Sequence, residues 1–195
     1  MKRLLDVVLS LVALLLLSPV LLILALVVAI TSPGGAFFRQ TRVGKGGREF
    51  QLLKFRTMRP GSEAAGQITV GGRDPRITGI GRTLRRTKMD ELPQLWNVLV
   101  GDMSLVGPRP EVPRYVALYT EDQRQVLTVR PGITGPASLA YIDENDILAR
   151  AVDPERAYVE EVMPAKLALD LAYVRDHDVI GDIALLGRTV SGLFR

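Results

Sequence analysis

The apolar run at residues 7–30 constrains this chain most. Only Ser10, Ser18 and Pro19 interrupt it. As an α-helix, 24 residues extend roughly 36 Å at about 1.5 Å per residue, enough for a hydrocarbon core of roughly 30 Å. Lys2 and Arg3 imitate the basic start of a secretory signal, and Val27-Val28-Ala29 imitates a cleavage site. The run is longer than the roughly 7–15 apolar residues of such a signal, so a retained membrane segment is expected. Ser18-Pro19 stands near its middle. Pro19 removes a backbone donor, costs roughly 3 kcal/mol in a helix interior and frees the Leu15 carbonyl, which needs a new partner where there is no water. The Ser18 hydroxyl can reach a carbonyl one turn back and help bend the helix. Lys2 and Arg3 precede the run, and Arg39, Arg42, Lys45 and Arg48 follow it. The positive-inside rule places both flanks in the cytoplasm. A helix that enters, kinks at Ser18-Pro19 and returns to the same face satisfies both observations. A kinked helix that spans is the alternative.

No other stretch is long and apolar enough to cross a bilayer. The chain has no cysteine, which excludes disulfides and thiolate metal sites. Its net charge of +4 is unevenly spread. Seven Lys and Arg at 39–59 face Glu49 alone, and six at 73–88 face Asp74 alone, whereas 143–182 is rich in acids. The basic stretches suit anionic headgroups or phosphates, or a solvated face. Gly44, Gly46 and Gly47 suggest a turn, and 49–58 reads as a strand or extended element. Residues 59–76 read as a mobile loop rich in Gly, Pro and charge. A helix is expected over 90–100 with Pro93 in its first turn, a rigid loop at Gly107-Pro108-Arg109-Pro110, and helical spacing across 112–129. Residues 154–173 read as helix, in two pieces around Pro164. Val179, Ile180, Ile183, Leu186, Val190 and Phe194 share one helical face, which packs on the core or lies in a membrane interface.

Asp90-Glu91 is the candidate for chemistry. Acids at a helix start commonly serve the helix dipole. Here Arg82, Arg85, Arg86 and Lys88 lie just upstream, and Arg109 sits between two prolines downstream. A carboxylate among cations suits phosphate chemistry: the cations bind phosphate oxygens, the carboxylate can attack phosphorus, and a hard divalent cation offsets the repulsion. The Gly-rich phosphate-binding fingerprints are absent. The one histidine, His177, lies between Asp176 and Asp178 and reads as a surface residue.

Thr87-Lys88-Met89-Asp90-Glu91-Leu92-Pro93-Gln94-Leu95-Trp96-Asn97-Val98, running into Gly101-Asp102-Met103-Ser104-Leu105-Val106-Gly107-Pro108-Arg109-Pro110-Glu111, strongly resembles the bacterial sugar transferases, the monotopic phosphoglycosyl transferases. Lys54-Phe55-Arg56-Thr57-Met58, Arg130-Pro131-Gly132-Ile133-Thr134-Gly135 and Ser18-Pro19 match further blocks in order, so the resemblance covers nearly the whole chain. Lys88-Met89 departs from it, standing where many members carry a Ser-Leu pair.

The resemblance implies a mainly α fold with a small β element. A kinked re-entrant membrane helix at 1–32 would precede a compact cytoplasmic catalytic domain with interfacial helices at 33–195, a minimal form of the family. It implies transfer of a phospho-sugar from a UDP-sugar to polyprenyl (undecaprenyl) phosphate in glycoconjugate assembly. Asp90 would attack the β-phosphorus and expel UMP, and Glu91 would assist by binding metal or taking a proton. Mg2+ is the implied cofactor, held by Asp90 and Glu91. Arg109 is the leading phosphate-binding candidate, followed by Lys54, Arg56, Arg85, Arg86 and Arg130. The implied partners are the UDP-sugar, the lipid phosphate and membrane phospholipids, with a homodimer allowed and no nucleic acid. The implied location is the cytoplasmic face of the bacterial inner membrane. The segment 136–145 follows the short members and hints at an N-acetylated amino sugar.

Two other classes compete. A non-enzymatic anchor binding anionic lipid or nucleic acid explains the charge but not Asp90-Glu91 or the Pro-Arg-Pro loop. An enzyme carried outside the cytoplasm requires a straight span.

Overall fold

One helix, α1 (Lys2–Thr31), carries the whole apolar run and continues through Pro19. Ser18 Oγ donates to the Leu15 carbonyl at 2.8 Å, so the acceptor that proline frees is satisfied from within the helix. The computed structural model describes residues 1–66, 68–71 and 74–192, without the side chains of Glu63 and Ala65. Phe194 and Arg73 of the sequence reading lie outside the described residues. The fold is mostly helical with small sheets, as expected.

The start of α1 is fastened by polar contacts to elements described below. Arg3 donates to the carbonyls of Val98 (2.6 Å) and Leu99 (3.0 Å), and Lys2 donates to Val106 O at 3.0 Å. Asp6, 5% exposed, accepts from Leu105 N–H. Farther along, Ala13, Leu14 and Leu17 pack on a core that contains Leu95, Val98 and Met103. Near the end, Leu24, Ala25 and Val28 pack with Phe55 and Leu84. Both ends of α1 therefore lie against the same body. Its outer face, with Leu16, Leu22, Ile23 and Ile30, is exposed and apolar.

Antiparallel β1 (Phe37–Val43) and β2 (Glu49–Phe55) pair from Phe37↔Phe55 to Val43↔Glu49, across a Gly-rich turn with Gly46 and Gly47 at positive φ. Only β2 is expected from the sequence. Helix α2 (Gly79–Arg86) is capped by Thr78, whose hydroxyl accepts from Gly81 N–H. The helix expected over 90–100 is broken. Lys88 takes a left-handed conformation at φ 56°, uncommon for a side-chain-bearing residue. Residues Met89–Glu91 then form a single 3-10 turn, and α3 (Gln94–Val100) starts only after Pro93. Pro93 thus caps α3 instead of lying inside its first turn.

Parallel β3 (Ser104–Val106) and β4 (Gly132–Thr134) cross where three glycines meet. A Cβ on Gly132 would stand 2.1 Å from Gly107 N, and one on Gly135 would stand 2.3 Å from Gly107 O. No side chain fits there. The regular helix expected across 112–129 is instead α4 (Pro113–Val116) and a 3-10 segment, Gln123–Thr128, though Val112, Val116, Tyr119 and Val126 are buried as the spacing requires. Short helices α5 (Pro136–Ala140), α6 (Glu144–Arg150) and α7 (Pro154–Ala157) follow. A widened π turn, Tyr158–Val162, leads into α8 (Met163–Asp176), just ahead of Pro164, which has no N–H to continue the ladder.

In α9 (Val179–Gly192) the expected apolar face is divided: Leu186 packs with Leu185 against the core that contains Val98 and Met103. Ile180, Ile183 and Val190 are exposed, while Asp182 is 7% exposed and reaches Lys2 and Tyr173. The ion pair and the tyrosine hydroxyl fix that helix against the body, and Ile180, Ile183 and Val190 are left outward.

Candidate active site

Lys54, Arg85, Lys88, Asp90, Glu91 and Arg109 line one cavity of about 450 Å³. They arrive from four pieces of chain: β2 brings Lys54, α2 brings Arg85, the turn at 88–91 brings Lys88, Asp90 and Glu91, and the loop after β3 brings Arg109. Lys54 is on β2, which Asn97 of α3 holds through both amide atoms. Asn97 Nδ2 donates to Gln51 O at 2.8 Å, and its Oδ1 accepts from Leu53 N–H at 3.0 Å. Arg85 is on α2, which approaches so closely that a Cβ on Gly81 would stand 2.2 Å from Thr57 O. Arg85 then donates to Thr57 Oγ1 (2.9 Å) and Thr69 Oγ1 (3.1 Å). Arg109 is on the loop that leaves the glycine crossing of β3 and β4.

The two acids are treated differently. On a 3-10 turn, successive side chains point roughly 120° apart. Glu91 meets Arg109 through both oxygens: Nη1 lies 3.2 Å from Oε2, and Nη2 makes a short contact with Oε1. Lys54 Nζ stands 3.8 Å from the same Oε1. Burial alone would raise the Glu91 carboxyl, but Arg109 and Lys54 outweigh it and hold it well below the usual carboxylate range. Glu91 in turn raises Arg109. Burial pushes Lys54 down to about 8, against the pull of Glu91.

Asp90 is 6% exposed and makes no hydrogen bond or ion pair among the described residues. Burial, then the charge of Glu91, raises its carboxyl, while Lys54, Arg85 and Arg109 act in the opposite sense. The pair thus comprises one carboxylate locked in its charged form and one unengaged carboxylate facing a cation-lined cavity.

Three expected binding residues lie elsewhere. Arg56 donates to Gly35 O (3.1 Å) and Phe37 O (2.9 Å) and stacks over Phe38, tying the end of the membrane segment to the hairpin. Arg86 is exposed on α2 and does not line the cavity. Arg130 donates to Gly101 O at 2.9 Å and lines a separate cavity of about 160 Å³ with Lys2 and Arg3. His177 is exposed and stacks on Tyr173.

Other residues enter that the sequence does not single out. Arg42 Nη1 donates to Pro110 O (2.9 Å) and Glu111 Oε1 (3.0 Å), and Glu111 also accepts from Tyr158 OH. This network braces the loop beside Arg109. It depends on β1, whose pairing with β2 was not expected. The run Phe37-Phe38-Arg39-Gln40-Thr41-Arg42-Val43 carries little strand alternation to reveal it.

Among the described residues no group of three or more potential ligands could cage a metal ion. Mg2+ needs fewer, since one or two carboxylates plus substrate phosphates commonly hold it. Asp90, without a hydrogen-bond or ion-pair partner among the described residues, fits that role. Glu91 fits it only if it gives up Arg109, because both its oxygens are engaged.

The family model described as bacterial sugar transferase matches residues 1–195. A UDP-glucose:undecaprenyl-phosphate glucose-1-phosphate transferase of Escherichia coli (strain K12) is 39% identical over 97% of this chain and 39% of its own length. A UDP-N-acetylgalactosamine-undecaprenyl-phosphate N-acetylgalactosaminephosphotransferase of Aeromonas hydrophila is 34% identical over 97% of this chain and 42% of its own. The exopolysaccharide production protein PSS of Rhizobium leguminosarum bv. phaseoli is 40% identical over 100% of this chain and 96% of its own. The chain thus spans about two fifths of the first two relatives and nearly all of the third.

Proposed function

The chain belongs to the bacterial sugar transferase family, and from that premise we propose that it moves a phospho-sugar from a UDP-sugar to undecaprenyl phosphate. The observation that carries the reading is the contrast between the unengaged Asp90 and the chelated Glu91 in one cation-lined cavity. A carboxylate oxygen of Asp90 attacks the β-phosphorus of the donor. An acyl-phosphate bond forms, the pyrophosphate bond breaks, and UMP leaves with the electron pair. An oxygen of the lipid phosphate then attacks the same phosphorus, and Asp90 departs as carboxylate. Lys54, Arg85 and Arg109 hold phosphate oxygens. Glu91 keeps Arg109 oriented. With its carboxyl held so low, Glu91 is a poor proton acceptor, and its role is electrostatic. Mg2+, held by Asp90 and the substrate phosphates, would offset repulsion between nucleophile and pyrophosphate.

The same reading extends to topology. A domain that touches both ends of α1 favours re-entry over a straight crossing, because a straight crossing would carry one end away from that domain. The exposed apolar faces of α1 and α9 would then lie in the cytoplasmic leaflet of the plasma membrane. For the sugar, the names of the relatives divide between glucose and N-acetylgalactosamine, and an N-acetylated amino sugar is one of the two donors to test first.

The test is UMP release from a panel of UDP-sugars with undecaprenyl phosphate and Mg2+. Release that requires one donor and the lipid, and that vanishes in Asp90→Asn, is the expected result. Folded protein that releases no UMP from any donor would end the proposal.

A further inference from the structure

The cavity has a second polar region that the phosphate chemistry does not use. Asp170 on α8 is 4% exposed. The Ala137 N–H faces its carboxylate, yet Oδ1 is buried without a hydrogen-bond partner. Ser138 Oγ, next along α5, is likewise buried and unpartnered. Both residues line the cavity that holds Asp90 and Arg109. Lys166, one helical turn before Asp170, is ion-paired with Glu144 instead.

A buried acceptor without a partner is costly and uncommon in a native protein. Two such groups in the lining of one cavity are explained if a ligand completes them. The chemistry of that ligand follows from the groups. A carboxylate beside a hydroxyl repels phosphate and receives O–H donors. The cation-lined region of the same cavity suits the diphosphate. Burial also pushes the Asp170 carboxyl up to about 7, outweighing the opposing pull of Lys166 and of the Ala137 N–H.

We infer that Asp170 and Ser138 form the subsite that reads the hydroxyls of the transferred sugar. Asp170 Oδ1 accepts from one ring hydroxyl, and Ser138 Oγ bonds a neighbouring one. The inference rests on the proposed reading of the cavity as a UDP-sugar site.

The test compares binding of UDP and of UDP-sugars by titration calorimetry with native protein, Asp170→Asn and Ser138→Ala. UDP lacks the sugar, so it reports the phosphate and nucleoside contacts alone. In Asp170→Asn one carboxylate oxygen becomes an amide donor, and the other can still accept from Ala137. The expected result is UDP affinity within twofold of native and UDP-sugar affinity lowered roughly 10- to 100-fold, as for a lost hydrogen bond to a charged group. Ser138→Ala weakens the same donor in the same direction by a smaller factor. Deoxy analogues of the preferred sugar identify the hydroxyl: the one whose removal abolishes the difference between native and variant is the one read. Equal losses for UDP and UDP-sugar, with a lower unfolding temperature, would make Asp170 a structural cap on α5 and overturn the inference. Unchanged UDP-sugar affinity in both variants would overturn it too, while leaving the UDP-sugar reading intact. Native protein that binds neither UDP nor any donor would remove that reading and the inference together.

Discussion

Arg109→Met tests the electrostatic frame of the site without touching Asp90. The substitution keeps most of the side-chain volume and removes the charge that chelates Glu91. Exposed ion pairs contribute about 0–1 kcal/mol, whereas breaking a fully buried pair costs about 3–5 kcal/mol. The Arg109 side chain is 31% exposed and that of Glu91 16%, so this pair falls between those limits. Lys54 remains 3.8 Å from Glu91 and compensates in part. The expected cost is about 2 kcal/mol, which for a chain of this size lowers Tm by about 4–8 °C. In a Glu91→Gln background no buried charge is left behind, and the same substitution should cost under about 0.5 kcal/mol. The pH dependence has a fixed sign. A carboxyl depressed in the folded state adds stability above its unfolded pKa, about 4.3, and loses it as pH falls. The gap between native and Arg109→Met should therefore hold from pH 7 to about pH 5 and narrow as pH falls below the unfolded pKa. Thermal unfolding in detergent, for native, both single variants and the double variant, measures all four terms. An equal cost of Arg109→Met with and without Glu91 would mean that the two side chains are not coupled.

Other outcomes follow from the same structure. Lys54, pushed down to about 8, is charged below that pH and neutral above it. UDP binding should weaken between pH 7 and 9, and Lys54→Arg should flatten the profile measured by calorimetry. Asn97→Leu strands Leu53 N–H and Gln51 O, at a cost of about 2–4 kcal/mol, readable as a lower unfolding temperature. Gly132→Ala places a methyl 2.1 Å from Gly107 N and should yield no monodisperse folded protein by size-exclusion chromatography. The cysteine-free chain allows single reporters at Leu4→Cys and Lys45→Cys. Re-entry predicts labelling of both by an impermeant reagent from the same side of the membrane, and a straight span predicts labelling from opposite sides.

Long-range and short-range information divide what the sequence discloses. The membrane helix is legible because hydrophobicity is a sum over many residues, and the Ser18–Leu15 bond follows from the chemistry of proline alone. The dyad and the Pro-Arg-Pro loop are legible as motifs, and the cavity brings Asp90, Glu91, Arg109, Lys54 and Arg85 together. The left-handed turn at Lys88 is not legible, since neither Gly nor Asn marks it. Arg56, Arg86 and Arg130 look like phosphate ligands by charge, but charge does not say where a side chain points. Arg56 and Arg130 instead serve backbone carbonyls. In α9 the apolar periodicity is real, yet only Leu186 of that face reaches the core; Asp182 pairs inward with Lys2 while Ile180, Ile183 and Val190 stay outward. Asp170 gives no signal in sequence, because an acid on an amphipathic helix is ordinarily a solvated one.

The most direct test of the central claim is a search for phospho-sugar on Asp90. The purified protein is mixed with a UDP-sugar labelled at the β-phosphate, without lipid acceptor, and the digested peptides are analysed by mass. UMP release should be matched by label on the peptide carrying Asp90, discharged by undecaprenyl phosphate and absent in Asp90→Asn. UMP release that begins only with the acceptor present, with no labelled peptide and with native turnover in Asp90→Asn, would contradict covalent transfer through Asp90.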